Sequence, residues 1–198
     1  MVSIRQTSLK YHGEKAKTYD AIRTKQARWA FENQLVGNWL EDLKPKTVFD
    51  CPVGTGRFVA DYVKLGADVT GMDISNEMLK LADQKVKRAK GAQYIRLVQG
   101  DATKTGLKDK SVDVSVCVRF LDLIDEDAMR ATMTELARIT KRTIICTIRL
   151  GDKYVPKSNT AEHDSKKFRA LVKKLGFSIE KSEQFREGSW HVFQIKRG

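Results

Sequence analysis

The amino-acid sequence predicts an α/β fold, with a mostly parallel sheet, helices on both faces and an antiparallel last strand. Two features of the chain carry this prediction. Short apolar and β-branched runs alternate with segments in which apolar residues recur every three or four positions. In addition, the runs 112–118 and 143–148 are rich in apolar and β-branched residues, which is typical of strands that helices cover on both faces.

The predicted elements alternate along a chain of 198 residues, a length that fits one domain with a sizeable core. Strands are predicted at 47–50, 68–72, 94–98, 112–118 and 143–148, followed by a hairpin of strands 177–182 and 189–196. Helical stripes of apolar side chains are predicted at 35–43, 78–89, 129–137 and 168–175. Within the single domain, we expect N-terminal helices or a lid over residues 1–45 and a ligand-binding core over 46–198.

The segment after the first strand carries the strongest functional signal. Gly54 and Gly56 follow this strand, and glycine permits positive φ and close approach of a ligand to the backbone. A helix that begins at Gly56 would add unpaired N–H groups, so we expect a nucleotide-like cofactor here. No Gly-Lys-Ser/Thr follows, which excludes a P-loop, and Val59 stands where the dinucleotide fingerprint has a small residue. An ordinary tight turn is the alternative.

Three aspartates each end or follow a predicted strand. Asp50 could hold a cationic amine, such as that of S-adenosylmethionine. Asp73 could accept hydrogen bonds from both hydroxyls of a ribose, or could instead cap the helix that starts near Ser75. Asp101 could accept a hydrogen bond from an adenine amine, or could be a turn aspartate. Their order along the chain favours the cofactor interpretation.

These segments together resemble the motifs of class I S-adenosylmethionine-dependent methyltransferases, a superfamily with a Rossmann-like fold. The resemblance rests on residues 49–56, 71–75, 100–102, 111–116 and 175–177. It implies a seven-stranded sheet, S-adenosylmethionine as cofactor and S-adenosylhomocysteine as product. Pro52 departs from the family, which usually has glycine there, because proline lacks an N–H and fixes φ. The cofactor-binding residues implied by the resemblance are Tyr19, Asp50, Cys51, Pro52, Gly54, Gly56, Asp73, Ile74, Met78, Asp101, Ala102 and Val118.

The segments that follow the strands are also where a catalytic base is expected. Methyl transfer depends chiefly on holding the acceptor and the methyl group close and in line, and a base is needed when the acceptor must lose a proton. The candidate bases are His163, Tyr11, Asp122, His12 and Tyr19. A structural or surface role is the alternative for each of them. The segment 11–28 is expected to cover the cofactor as a lid, with Tyr19 at the methionine end, or to dock as a simple amphipathic helix.

The charge of the chain bears on its partners. With 37 basic and 25 acidic residues the formal net charge is +12, which attracts polyanions such as RNA. The acids at 122 and 125–127 are expected near the acceptor site, however, and an acidic mouth disfavours a phosphate backbone. We therefore expect a small-molecule acceptor that is methylated on O or N. The alternatives are an RNA methyltransferase and an inactive, methyltransferase-like module that binds nucleic acid.

The composition of the chain fits the expectation of a soluble cytoplasmic protein. No apolar run is long enough to span a bilayer, so we expect no membrane partner. Cys51, Cys117 and Cys146 have the spacing of neither a zinc site nor a redox pair, and we expect reduced core cysteines and no bound metal. The sequence indicates no particular oligomeric state.

Overall fold

The computed structural model describes residues 18–156, 160–186 and 189–198. The helices are α1 (Tyr19–Arg23), α2 (Ala27–Leu43), α3 (Val59–Leu65), α4 (Asn76–Arg88), α5 (Glu126–Ile139) and α6 (Ser165–Lys174). Two short 3₁₀ turns are Ala92–Tyr94 and Leu121–Leu123. The strands are β1 (Thr47–Asp50), β2 (Asp68–Asp73), β3 (Ile95–Gln99), β4 (Val112–Cys117), β5 (Thr140–Gly151), β6 (Val155–Pro156), β7 (Ala161–Asp164), β8 (Phe177–Gln184) and β9 (Trp190–Arg197).

Parallel pairing dominates the sheet. The pairs β3–β2, β2–β1, β1–β4 and β4–β5 are all parallel, which gives the order β3-β2-β1-β4-β5. Beyond β5, strand β9 pairs antiparallel with both β5 and β8, so the last strand runs against its neighbours. The predicted fold class is confirmed.

Strands β6 and β7 are an addition to the predicted sheet, which therefore has nine strands within the described residues instead of seven. Strand β5 continues to Gly151, and Leu150 and Gly151 pair in parallel with His163 and Asp164 of β7. Three of the four residues of β7 are polar, including Glu162, so no apolar run marks it as a strand. Its pairing depends on the extended end of β5.

The helix after the glycine loop begins later than the sequence pattern predicts. Helix α3 begins at Val59 and not at Gly56, because turns occupy most of the segment 51–58. Gly56 has a φ of 76°, and its N–H donates to the Val53 carbonyl (3.0 Å), which closes a turn. The loop therefore has a shape of its own before the helix starts.

Two apolar clusters lie on opposite faces of the sheet. Neighbouring residues of β1 belong to different clusters, Val48 to one and Phe49 to the other, as the alternation of side chains along a strand requires. Leu136 of α5 and Phe168 of α6 pack in the cluster of Phe49. Leu40 of α2 packs in the cluster of Val48. Helices thus cover both faces, and the division of the chain at residue 45 stays a prediction.

The cysteines Cys51, Cys117 and Cys146 are buried and free, as expected of core residues. No described helix combines the length and the apolar character needed to cross a membrane.

The packing of α5 against the sheet gives a stability prediction. Leu136 is fully buried, so Leu136→Ala should lower the free energy of unfolding by about 2–5 kcal/mol, because it removes buried methyl groups and leaves a cavity. Val98 of β3 is 36% exposed, and Val98→Ala should cost less than about 1 kcal/mol. Denaturant titration measures both changes. A cost for Leu136→Ala as small as that for Val98→Ala would contradict the described packing of α5.

Candidate functional site

The glycine loop, residues 51–58, joins β1 to α3. Gly54 and Gly56 have φ values of 56° and 76°, so the positive φ expected of both glycines is confirmed. A Cβ atom at Gly56 would also lie 3.0 Å from Val59 Cγ2 and 3.3 Å from Ala82 Cα. Gly56 is therefore required both by its backbone conformation and by the close approach of the loop to α4.

Asp73, the last residue of β2, ties the glycine loop to the start of α4. Its Oδ2 accepts from the Gly54 N–H (2.9 Å), and its Oδ1 accepts from the Ser75 N–H (2.9 Å). The N-cap of α4 is Ser75, whose hydroxyl accepts from the Met78 N–H (3.4 Å), so the helix-cap alternative for Asp73 is wrong. Burial raises the pKa of Asp73. A carboxylate has about four acceptor positions, which leaves capacity for ribose hydroxyls.

Asp50 ends β1, next to β2 in the sheet. The residue is 2% exposed, and its Oδ2 has no hydrogen-bond partner among the described residues. Burial raises the pKa of Asp50 to about 7, against the opposing effects of the Tyr62 hydroxyl and Arg57. The Tyr62 hydroxyl lies near Asp50, and it too lacks a well-formed hydrogen bond among the described residues. A buried carboxyl with an open acceptor atom suits a cationic ligand, and that role of Asp50 stays a prediction.

Other residues expected to bind the cofactor follow β2, β3 and β4 or, for Met78, lie in α4. Four of them are apolar and buried or half-buried: Ile74, Met78, Ala102 and Val118. Asp101 Oδ1 accepts from the N–H (2.8 Å) and the hydroxyl (2.7 Å) of Thr103, which is the geometry of a turn aspartate. Asp101 therefore fixes its own turn, and its hydrogen bond to adenine stays a prediction.

Helix α1 lies across the glycine loop. Asp20 Oδ1 accepts from the Thr55 hydroxyl (2.7 Å), and Lys85 Nζ of α4 lies 2.7 Å from Asp20 Oδ2. Tyr19 packs edge-on against Trp29 with 6.2 Å between ring centroids. These contacts place Tyr19 beside the loop, and its contact with the cofactor stays a prediction.

A cavity of about 40 Å³ lies where these elements meet. Its walls come from α1, the glycine loop and the chain after β4, and include Tyr19, Asp50, Pro52, Gly54, Val118 and Arg119. Cys51, joined to Pro52 by a cis peptide bond, is buried. Predicted site residues from three separate segments of the sequence therefore line one cavity.

The chain after β4 brings Arg119 and Asp122 to this edge of the sheet. Arg119 has a φ of 59°, an uncommon conformation for a residue other than glycine, and its N–H donates to the Thr147 hydroxyl of β5 (2.6 Å). Asp122 is 2% exposed, and its Oδ1 has no hydrogen-bond partner in the described structure. Burial raises the pKa of Asp122 to about 6, although Arg28 and Arg119 oppose this shift.

A buried charge network connects α2 with the glycine loop and the chain after β4. We call it the arginine cluster: Arg28, Arg57 and Arg119 around Glu32. Glu32 Oε1 accepts from Arg28 Nε (2.6 Å), and Glu32 Oε2 accepts from Arg57 Nη1 (2.9 Å). Glu32 Oε2 also lies 3.7 Å from Arg119 Nη1, and all four side chains are at most 12% exposed. Sequence reasoning missed this cluster, because no local pattern indicates which arginines meet Glu32.

The acids expected to form an acidic mouth after β4 differ in their surroundings, and the mouth itself stays a prediction. Asp125 caps α5 by accepting from the Ala128 N–H (2.9 Å), and Glu126 forms an ion pair with Lys167 (3.1 Å). Acids at the start of a helix bind its unpaired N–H groups or remain in solvent. Of these acids, Asp122 alone is buried, and it lies within electrostatic range of arginines.

His163 lies on β7 and is fully buried. Its Nε2 is 2.7 Å from the Leu121 carbonyl, so Nε2 carries the proton and donates it. The Tyr154 ring packs 5.7 Å away, and burial lowers the pKa of His163. A neutral His163 thus anchors the turn after β4, and its predicted catalytic role stays a prediction. The candidates Tyr11 and His12 lie outside the described residues.

Two further grooves in the described structure lie away from this edge. Two grooves of about 590 and 450 Å³ are lined by residues at the amino ends of β1 and β2, among them Lys46 and Thr47. The described ranges contain no group of three or more His, Cys, Asp or Glu side chains suited to a metal ion. The carboxyl edge of the sheet is therefore the candidate site.

The chain is similar to curated methyltransferases over part of their length. Demethylmenaquinone methyltransferase of Tropheryma whipplei (strain Twist) is 32% identical over 102 residues, which are 50% of this chain and 40% of that protein. Phosphatidylethanolamine N-methyltransferase of Cereibacter sphaeroides is 28% identical over 133 residues, which are 62% of this chain and 64% of that protein. The match thus covers less than two thirds of either relative.

Solved structures extend the similarity to the fold. The crystal structure of magnesium protoporphyrin IX methyltransferase from Synechocystis PCC 6803 with bound S-adenosylmethionine superposes with a TM-score of 0.71 at 25% identity, covering 84% of this chain and 78% of that one. The family model described as "Methyltransferase domain" matches residues 49–147, half of the chain. This range includes the glycine loop, Asp73 and the turn that carries Asp122. The chain therefore belongs to the family of methyltransferase domains.

Proposed function

We propose that this protein transfers a methyl group from S-adenosylmethionine to an oxygen or nitrogen atom of a small-molecule acceptor. One observation carries the proposal. Asp50, Asp73 and the positive-φ glycine loop meet at one edge of the sheet, and Asp122 lies at the same edge beyond β4. This arrangement offers a cofactor site and a base side by side.

The residues at the edge fit S-adenosylmethionine. The open Oδ2 of Asp50 would bind its ammonium group, and Asp73 would accept from its ribose hydroxyls. Gly54 and Gly56 would let the cofactor approach the backbone closely, and Tyr19 would cover the methionine end. When bound, S-adenosylmethionine supplies a methyl group that is carried on a sulfonium. The rest of the cofactor leaves as a neutral thioether.

Asp122 is the base that we assign to the acceptor side. Its carboxyl has a pKa of about 6, so it is mostly ionised at neutral pH and can take a proton from an alcohol, a phenol or an ammonium. Arg28 and Arg119 stabilise the ionised form. His163 is a positioning residue in this scheme, because its hydrogen bond to the Leu121 carbonyl holds the turn that carries Asp122.

The names of the relatives support a small acceptor, since they refer to demethylmenaquinone, phosphatidylethanolamine and magnesium protoporphyrin IX. RNA is the second candidate acceptor because of the net charge of +12. Several basic side chains, however, form ion pairs with acids of this chain, including Lys87 with Asp83 and Lys167 with Glu126. This pairing favours a solvated protein surface over a phosphate-binding one. A cytoplasmic location is part of the proposal.

Turnover with fractionated cell extract tests the proposed function. The protein and S-adenosylmethionine should form S-adenosylhomocysteine with a small-molecule fraction, and ribonuclease should not change the rate. Mass spectrometry of the fraction then locates the added methyl group. Turnover that requires the RNA fraction would contradict the small-molecule acceptor, and absence of cofactor turnover with every fraction would favour an inactive binding module.

A lysine variant is the matched control for RNA binding. Exchange of Lys166, Lys167, Lys173 and Lys174 of α6 for glutamine should change turnover with the small-molecule fraction by less than about twofold, because these residues are surface charge. A loss of more than about tenfold, together with a shallower salt dependence, would assign these lysines to phosphate contacts and favour RNA.

Asp73→Ala should weaken binding of S-adenosylhomocysteine by about ten- to a hundredfold, because charge-assisted hydrogen bonds to the ribose are lost. It should also lower the free energy of unfolding by about 1–3 kcal/mol, since the Gly54 and Ser75 N–H groups lose their acceptor. Ser75→Ala is the control, because it removes the cap of α4 and should leave affinity unchanged. Calorimetry and thermal unfolding measure both quantities. Equal affinities for the two variants would remove Asp73 from the cofactor site.

Asp50 gives a pH prediction. Its folded pKa of about 7 lies above the ordinary aspartate value of about 4, so folding is coupled to proton uptake between these values. The contribution of Asp50 to the stability of the free protein therefore decreases as pH rises from about 4 to about 7. Ammonium binding needs the ionised carboxylate and should strengthen over the same rise in pH.

Calorimetry at several pH values checks this prediction with S-adenosylhomocysteine as the ligand. Affinity should increase as pH rises through about 7, and Asp50→Asn should flatten the profile. Any pH dependence of the affinity that remains in Asp50→Asn arises from Asp73, because burial also raises the pKa of Asp73. An unchanged profile in Asp50→Asn would exclude Asp50 as the ammonium ligand.

A further inference from the structure

We infer that the methyl acceptor carries a carboxylate, and that Arg28 and Arg119 bind this group beside Asp122. The inference rests on the proposed function and adds the class of substrate to it. The acceptor is then a small acid that also bears a hydroxyl or amino group.

The guanidinium groups of the arginine cluster differ in how many of their nitrogen atoms have a hydrogen-bond partner. Each of the three guanidinium nitrogens of Arg57 has a partner, since they donate to Glu32, to the Asn33 side chain and to the Trp29 carbonyl. By contrast, Arg28 Nη2 and Arg119 Nη1 are buried and have no hydrogen-bond partner among the described residues. A buried donor without an acceptor destabilises the protein, and the penalty is larger when the group is charged. Arg28 and Arg119 therefore provide two open cationic donors in one cluster.

Glu32 leaves these two donors without a hydrogen bond in the described geometry. Its Oε1 already accepts from Arg28 Nε and its Oε2 from Arg57 Nη1, while Arg119 Nη1 is 3.7 Å away, beyond hydrogen-bonding distance. Three guanidinium groups thus share Glu32 and the more distant Asp122. A buried cation in excess is unfavourable unless an anion joins it. A carboxylate offers the missing negative charge and two acceptor oxygens.

Both arginines are held in place before any ligand binds. The Arg28 guanidinium lies 3.3 Å from the centroid of the Trp190 ring, and its Nε is bound to Glu32. The main chain of Arg119 is fixed by its left-handed φ and by the hydrogen bond that its backbone N–H donates to the Thr147 hydroxyl, and its Nη1 lies 3.7 Å from Glu32 Oε2. Left-handed conformations of residues other than glycine are costly and cluster at ligand sites. Two guanidinium groups on the same carboxylate, one of them held by Trp190, suit a second planar carboxylate group.

Two molecules could bring a carboxylate to this place, the acceptor and the amino-acid end of the cofactor. Asp50, the ligand predicted for the cofactor ammonium, lines the cavity of about 40 Å³ together with Arg119. Arg28 and Asp122 are not part of the wall of this cavity. Arg119 therefore lies at the boundary of the cofactor cavity, and a carboxylate that also reaches Arg28 lies outside this cavity, so we assign it to the acceptor.

Asp122 defines the second group of the acceptor. Its Oδ1 is buried without a hydrogen-bond partner in the described ranges, and both arginines lie within electrostatic range of it. An unpaired carboxylate oxygen accepts a hydrogen bond from a hydroxyl or an amine. Asp122 then takes the proton of this hydroxyl or amine as the acceptor atom attacks the methyl group. The carboxylate of the acceptor and its methylated group therefore lie close together.

Benzoate is the probe for the carboxylate site, with benzamide as its uncharged counterpart. Both are titrated into the protein saturated with S-adenosylhomocysteine, and into the free protein, with calorimetry and thermal unfolding as readouts. Benzoate should bind and stabilise the wild type, whereas benzamide should not. Arg28→Gln and Arg119→Gln should each lower the affinity for benzoate by about tenfold or more. Arg142→Gln, at an exposed arginine, should change nothing.

The variants must be shown to be folded, since each alters a buried charge network. Arg119→Lys keeps the charge and removes the fork of donors, so it should fold as the wild type does and bind benzoate between the wild type and Arg119→Gln. Equal stabilisation of the wild type by benzoate and benzamide would overturn the inference. Undiminished benzoate binding by Arg119→Lys and Arg28→Gln would also overturn it.

A second arm separates the acceptor from the cofactor as the source of the carboxylate. S-adenosylhomocysteine is compared with 5′-methylthioadenosine, which lacks the amino-acid end. The inference predicts that Arg28→Gln, at a residue outside the wall of the cofactor cavity, changes both affinities by less than about threefold. Selective loss of S-adenosylhomocysteine affinity in this variant would assign Arg28 to the cofactor and overturn the inference. Failure of the wild type to bind S-adenosylhomocysteine would instead count against the proposed function.

Discussion

Parallel pairing of β1 with β2 and with β4 is the constraint on which the rest of the site depends. Because these strands run in the same direction, their carboxyl ends lie at one edge of the sheet. Asp50 pairs with Gly71 on one side and with Val116 on the other, which brings the end of β1 between the other two strand ends. Most residues of the candidate site end or follow one of these strands, or pack over them.

Asp73 converts this shared edge into a defined loop. Its two oxygens accept from Gly54 and from Ser75, so a single carboxylate joins β1, β2 and the start of α4. The positive φ of Gly54 and Gly56 gives the loop a shape that other residues rarely adopt. One buried acid and two glycines thus fix the position of the backbone against which a cofactor would bind.

Burial gives the acids and bases at this edge their chemical properties. It raises the pKa of Asp50 to about 7 and that of Asp122 to about 6, and it lowers the pKa of His163. Groups that titrate close to neutral pH can exchange protons with a substrate, which exposed aspartates cannot do as readily. The buried Glu32 performs a different task, because it holds three arginines near the same edge.

The sequence by itself determined the features that neighbouring residues encode. Apolar periodicity predicted the helices and the parallel strands, and the glycine spacing predicted a loop with positive φ, which Gly54 and Gly56 show. The start of α3 was predicted too early, since a turn and a first helical turn have similar local patterns. Strand β7 was missed, because its polar residues become a strand only by pairing with β5.

Only the tertiary structure decided which charged residues meet. The sequence left Asp73 as a ligand or a helix cap, and the structure excludes the cap because Ser75 is the N-cap. The acids after β4 include the cap Asp125 and the buried Asp122. The arginine cluster joins α2, the glycine loop and the chain after β4, which are far apart in the sequence. The physical reason is that the pattern of apolar and polar residues along a short segment indicates only its backbone conformation and which face of the helix or strand is buried. The pairing of buried charges depends on which segments the sheet brings together.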